Sequence, residues 1–110
     1  MGSGVRGGQA GGNVKVRWTV SALRDRHQIV AFIRSDNPRA AERMDRVFSA
    51  AAARLVRHPR LGRPGLIAGT RELIPHRSYR LVYEIDNGTI WVLVLVDSAR
   101  QWPPVSGDAE

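Results

Sequence analysis

The chain contains no cysteine. Disulfides, thiolate metal sites and cysteine nucleophiles are therefore excluded, which agrees with a reducing cytoplasm. Lysine is nearly absent too: of 17 basic residues only Lys15 is not arginine. Carboxylates are outnumbered, with 10 Asp and Glu leaving a net charge of +7. No apolar run approaches the roughly 20 residues of a membrane-spanning helix, so no membrane partner is expected. The opening stretch MGSGVRGGQAGGN lacks the apolar segment of a secretory signal. Internal repeats are missing as well.

What remains is the make-up of one soluble globular domain: 110 residues, 43% hydrophobic and 25% charged. Excess positive charge favours nucleic acid, an anionic membrane surface or an acidic protein as partner. Arginine presents a planar fork to phosphate and carboxylate, which lysine does not. An arginine-biased genome gives the same excess without any such partner.

Residues 1–13 are glycine-rich without apolar periodicity and predict a flexible tail. A single domain is expected over 14–103, followed by a frayed tail, 104–110. Val14–Trp18 alternates apolar and basic residues and predicts a strand. Thr19 or Ser21 can cap a helix running to about Ser35, with Leu23, Val30, Ile33 and nearby Phe32 as its apolar stripe. Asp36 or Asn37 followed by Pro38 predicts the start of a second helix. There Ala40, Ala41, Met44, Val47, Phe48, Ala51 and Leu55 recur at spacings of three and four. So short a link makes the two helices an antiparallel hairpin. A loop of about 10 residues then leads to a strand in TRELIPHR, whose Pro75 argues for an edge or an irregular end. Two further strands, Tyr79–Asp86 and Thr89–Val96, flank Asn87-Gly88, where both turn positions want positive φ. The order gives an α+β arrangement, with helices on one face of a three-stranded meander.

Centring the hairpin on Asn87-Gly88 makes Asp86 oppose Thr89. Leu81, Tyr83, Ile85, Ile90, Val92, Val94 and Val96 then share an apolar face against the helices. Arg80, Val82, Glu84, Trp91, Leu93, Leu95 and Asp97 share a mixed, open face suited to binding. In that register Arg80 opposes Leu95, with Asp97 diagonal to it at roughly 7 Å and within reach of an ion pair. Arg100 joins Arg80 only if the C-terminal segment curls back over the open face. Arg80 can also simply cover the sheet end with its stem.

The motifs VRWTVSAL, SDNPRAAERM, LVRHPRLGRPG, GTRELI, YRLVYEI and ARQWP, in that order and spacing, resemble the RelE/ParE superfamily of type II toxin–antitoxin toxins. The similarity spans about Val14 to Pro103. It implies a β-α-α-β-β-β fold, a small curved antiparallel sheet packed on an N-terminal helical hairpin. It also implies a cytoplasmic growth inhibitor with a role in plasmid stabilisation, neutralised by a cognate antitoxin that carries the operator-binding module. No cofactor and no metal are implied, and no direct operator DNA binding by the toxin.

The resemblance leaves two mechanisms. ParE-like members bind and poison DNA gyrase without established catalytic residues. RelE-like members cleave mRNA on the ribosome without metal, the RNA 2'-hydroxyl attacking the adjacent phosphate. That reaction needs a base, an acid and cationic donors. Arg80 in YRLVY matches a phosphate-contacting arginine of the RelE type, Arg100 falls at the spacing of a second, and Arg71 in GTREL matches a basic position. Leu73 stands where RelE-like chains carry another basic residue. Asp97 occupies a position that is often histidine, and the C-terminal tyrosine or His-Tyr pair is missing. Glu84 and His76, with Glu72 and His58, are the weak acid–base candidates; such a Glu can equally be the partner of a neighbouring Arg. Trp91 on the open face can stack on a base or pack on a protein partner. The missing acid–base pair favours the gyrase-binding reading, with the ribosome-dependent endoribonuclease as alternative. An inactive module that only binds its antitoxin or nucleic acid is a third.

Overall fold

A computed structural model describes residues 14–100 and 102–104. The expected tail at 1–13, and that at 104–110 apart from Pro104, lie outside the described residues. Strand β1 (Lys15–Trp18) is followed by helices α1 (Val20–Arg34) and α2 (Pro38–Arg57). Strands β2 (Arg63–Pro64), β3 (Arg71–His76), β4 (Tyr79–Asp86) and β5 (Thr89–Asp97) complete the order. The sheet runs β1-β5-β4-β3-β2. The meander is therefore widened on both sides. The two-residue β2, inside the expected loop, pairs antiparallel with β3. β1 joins β5 in parallel, Lys15 opposite Thr89 and Trp18 opposite Val92, so the sheet is mixed rather than purely antiparallel. Parallel neighbours need a long crossover, which the helical hairpin and the rest of the meander supply.

Local chemistry accounts for the element ends. Thr19 Oγ1 accepts from the Ala22 N–H at 3.0 Å and caps α1. Asn37 caps α2 by accepting from Ala40 N–H at 3.1 Å, with Pro38 in the first turn, where its missing N–H costs nothing. Asn87 and Gly88 both have positive φ, +48° and +82°, as the hairpin turn requires. The β3–β4 pairing shifts between Leu73 and His76, around Pro75, which cannot donate to the ladder.

The core lies between the helices and one sheet face. It contains Ala22 and Val30 of α1, Ala41, Phe48, Ala51 and Leu55 of α2, and Leu81, Tyr83, Ile90, Val92 and Leu95 of the sheet. The α2 stripe matches its periodicity. The α1 stripe matches in part: Val30 and Ile33 face the core, but Leu23 is half exposed and Phe32 is 79% exposed. Fully buried Ala22 takes the core position instead, and its small side chain lets the helix sit close to the sheet. Ile29 and Ile33 continue that face. Arg26 also turns inward. Its guanidinium lies 4.8 Å from the centre of the Trp18 ring and bonds Asp45 at 2.8 Å and Ser49 at 2.6 Å, tying β1, α1 and α2 together.

Tyr83 anchors the chain segment after α2. Its hydroxyl donates to Pro59 O at 2.7 Å and accepts from Gly62 N–H at 2.9 Å. The approach is so close that a Cβ on Gly62 would lie 2.8 Å from both the Tyr83 ring and Glu72 O. Burial is the main cause pushing the Tyr83 phenol above the usual value near 10, against smaller lowering effects of the Gly62 hydrogen bond and Arg71. The unfolded phenol ionises first as pH rises. The stability contributed by the neutral buried phenol is thus present below pH 10 and lost as pH climbs through the raised folded value. Tyr83→Phe should cost about 1–3 kcal/mol at neutral pH through the orphaned Pro59 and Gly62 groups. It should also flatten the alkaline fall in stability, read by urea unfolding at pH 7 and pH 10.5.

Candidate target-binding surface

The open face of the sheet is set by a bulge that the sequence does not announce. Opposed pairs run Ile85–Ile90, Glu84–Trp91 and Tyr83–Val92, but then Val82–Val94, Leu81–Leu95 and Arg80–Val96. One extra residue, Leu93, sits in β5 between these two sets. Two α1-side groups hold the irregular strand: Thr19 Oγ1 donates to Leu93 O at 2.9 Å, and Asp25 Oδ2 accepts from Leu95 N–H at 3.1 Å. Both groups lie beyond the end of β1, where β5 has no further strand on that side.

The bulge inverts the expected faces past Leu93. Leu95 enters the core, while Val94 and Val96 move to the open face. Arg80 opposes Val96, not Leu95. Asp97 opposes Tyr79 and leaves the face of Arg80, so the expected Arg80–Asp97 pair does not form. Its carboxylate instead accepts from Ala99 N–H at 2.8 Å. Tyr79 has its pKa raised, first by burial and then by the Asp97 charge.

Arg80 has a different carboxylate. Glu72 of β3 is only 2% exposed although it stands on the open face. Its Oε1 lies 3.6 Å from Arg80 Nε and 3.6 Å from Arg63 Nη2. Its other oxygen accepts from Leu66 N–H at 3.2 Å. The segment after β2 thus folds over Glu72. Neither Glu72 Oε1 nor Arg80 Nε has a closer hydrogen-bond partner. The buried carboxylate is held between two guanidiniums by charge rather than by short bonds. Val82 is fully buried on this same face, apart from the main core cluster.

The other candidates are dispersed. Arg71 opposes Tyr83 and so lies on the helix side, its Nη1 donating to Gly62 O at 2.6 Å. Arg100 is exposed in a recess of about 510 Å³ between α1 and the free margin of β5, lined also by Ile29, Phe32, Tyr79, Asp97 and Trp102. Arg80 faces the opposite way, toward β3. The three arginines therefore do not converge. Trp91 does stand on the open face, between Glu84 of β4 and Arg17 of β1. Glu84 is four residues from Arg80 on its strand, about 13 Å away along the backbone. His76 lies at the β3–β4 turn, with its Nδ1 accepting from Ser78 N–H at 3.1 Å. Leu73 packs against the core. Sequence reasoning missed Arg63 altogether. The signal was the alternation in TREL, which sets Glu72 on the face opposite Arg71, but nothing local says that a hairpin will bury it.

The sequence pattern of the ParE toxins of type II toxin–antitoxin systems, parDE, matches residues 16–102, from within β1 through the whole of β5. The chain belongs to the ParE toxin family. A Sinorhizobium fredii (strain NGR234) protein designated as a toxin, Y4kP, is 37% identical over 92 residues, 83% of this chain and 95% of that one. Among solved structures, the chromosomal ParDE system from P. aeruginosa superposes with a TM-score of 0.69 at 19% identity, a likeness of fold. It covers 76% of this chain and 95% of that chain. The RelBE2 toxin–antitoxin complex from Mycobacterium tuberculosis gives 0.55 at 30% identity, over 76% and 96%. This ParE-family chain therefore keeps the two-helix, mixed-sheet architecture of both branches. No described helix is long and apolar enough to cross a membrane.

Proposed function

We propose that this ParE-family toxin arrests growth by holding an essential protein, DNA gyrase, without chemistry of its own, and that a cognate antitoxin keeps it silent. The observation that carries the reading is the state of Arg80. Its guanidinium is already faced by the buried Glu72 carboxylate at 3.6 Å. Arg71 and Arg100 are directed elsewhere, and Glu84 and His76 are separated from Arg80 by strand and turn. A phosphoryl-transfer site needs donors and proton-transfer groups around one point. The described residues instead set Trp91 on the open face between Arg17 and Glu84, a dispersed arrangement that suits contact with a protein rather than chemistry at one point.

The antitoxin contribution fits the recess beside α1. Ile29, Phe32 and Trp102 line it, with Arg100 set beside Asp25 and Asp97, a combination that accepts a mainly apolar segment ordering on contact. Purified toxin should block gyrase supercoiling at near-stoichiometric ratio, with block relieved by the antitoxin. Ribosome-bound mRNA should remain uncut in a parallel end-mapping experiment. Codon-placed cuts with supercoiling intact would replace this reading by the ribosome-dependent endoribonuclease.

A further inference from the structure

The hairpin from Arg63 to Glu72 carries apolar residues where a turn ordinarily carries polar ones. Its tip reads Gly65-Leu66-Ile67-Ala68-Gly69. Turns of this size draw on Gly, Asn, Asp, Pro and Ser, yet here Leu66 is 70% and Ile67 40% exposed. A scattered exposed leucine needs no explanation. This one is held in place. Gly65 N–H donates to Thr70 O at 2.7 Å, and Ile67 O accepts both Thr70 N–H at 3.1 Å and Thr70 Oγ1 at 2.6 Å. Gly69 takes a φ of +84° to close the loop. Leu66 N–H is fixed by the Glu72 carboxylate, itself buried between Arg63 and Arg80. A buried charge is thus committed to keeping an apolar tip projecting into water.

The chain leading into and out of that tip carries charge of one sign. From Arg54 to Arg71 the sequence holds Arg54, Arg57, Arg60, Arg63 and Arg71 and no carboxylate. Arg57, His58 and Arg60 border a shallow concavity with Leu61, which is 46% exposed. Glu72, at the hairpin base, is covered.

We infer that this hairpin is the element of the toxin that enters its target, with Leu66 and Ile67 as a preformed knob for an apolar pocket rimmed by carboxylates on a folded protein. The inference rests on the protein-target reading above and names the surface that reading requires. Shape decides between occupants. A segment that orders on binding lies in a groove, as the α1 recess offers, and cannot itself present a pocket. A projecting tip needs a partner that is already concave, hence folded. Rigid display lowers the ordering cost of association, which makes the tip a suitable anchor.

The test uses the full chain as wild type, Leu66→Asp and Leu66→Met. Each is induced without antitoxin, tested for supercoiling inhibition, and titrated with antitoxin. Leu66→Asp should weaken target inhibition and growth arrest at least about 30-fold, the size of an anchor residue. Its antitoxin affinity and urea midpoint should match wild type, and Leu66→Met should remain toxic. Full toxicity of Leu66→Asp overturns the inference, as does a parallel loss of antitoxin affinity, which would assign the knob to the antitoxin. Binding of wild type, but not Leu66→Asp, to phosphatidylserine vesicles in place of a protein target would assign it to a lipid surface and also overturn it. If wild type fails to block supercoiling, the gyrase reading falls by itself. The knob is then judged on growth arrest: lost in Leu66→Asp it stands, retained it fails.

Discussion

Replacing Arg80 by leucine should destabilise the fold by about 3 kcal/mol, because it strips the buried Glu72 carboxylate of its better-covered counter-charge. Glu72 has a side-chain exposure of 1% and Arg80 of 19%, so neither is well solvated in the folded chain. Arg63 remains at 3.6 Å, but it is 65% exposed and strongly screened. A loss of this size is a large share of the roughly 5–15 kcal/mol that holds a small domain. Glu72→Leu alone should also be costly, leaving Arg80 without its carboxylate and Leu66 N–H without an acceptor. The double replacement Glu72→Leu/Arg80→Leu should recover most of the loss, short by about 1 kcal/mol for the orphaned N–H. Urea midpoints of the four proteins measure the coupling directly. Strictly additive effects would show that the pair is not coupled. The result bears on function as well. Loss of toxicity on removing Arg80 is evidence for a phosphate contact only if the variant is still folded at the assay temperature.

Phe48→Ala should be at least as damaging, about 3–5 kcal/mol. Phe48 sits in the middle of α2 and is fully buried. Its ring meets Tyr79 edge to face, with centroids 5.7 Å apart and planes at 77°. That geometry adds about 0.5–1.5 kcal/mol to the burial of its surface. Alanine leaves a void between α2 and the sheet, bounded by helix and strand backbones that cannot collapse into it. The comparison variant is Leu23→Ala. Leu23 is 51% exposed on α1 and its loss should cost below about 1 kcal/mol. Equal costs for the two variants, measured by thermal or urea unfolding, would mean that the α1 core face is wrongly placed.

The stability and binding arguments meet at the Arg63–Glu72 hairpin. One buried carboxylate fastens β3 to β4, holds the Leu66 backbone and engages Arg80. A variant at Glu72 therefore changes the fold, the tip and the charge of the open face together. Leu66 is exposed and touches none of the pair except through its backbone, which is why it is the cleaner probe of target binding.

Much of this protein was legible along the chain. Thr19 and Asn37-Pro38 mark the helix starts, Asn87-Gly88 the hairpin, Pro75 an irregular strand end, and the α2 stripe its buried face. Each is a local signal, decided by the residue's own φ preference or by its neighbours within a turn. The ordered motifs carried the family as well. The functional face was another matter. In WVLVLV every residue is apolar, so either alternation buries hydrophobic surface, and only contact with Thr19 and Asp25 of a distant helix start places the bulge at Leu93. That single extra residue sent Leu95 inward and separated Asp97 from Arg80. The sequence offered arginines and a glutamate without their partners. Folding of the 63–72 hairpin onto the sheet chose Glu72 for Arg80 and Arg63, because burial of a carboxylate depends on what covers it, and the covering residues come from another strand.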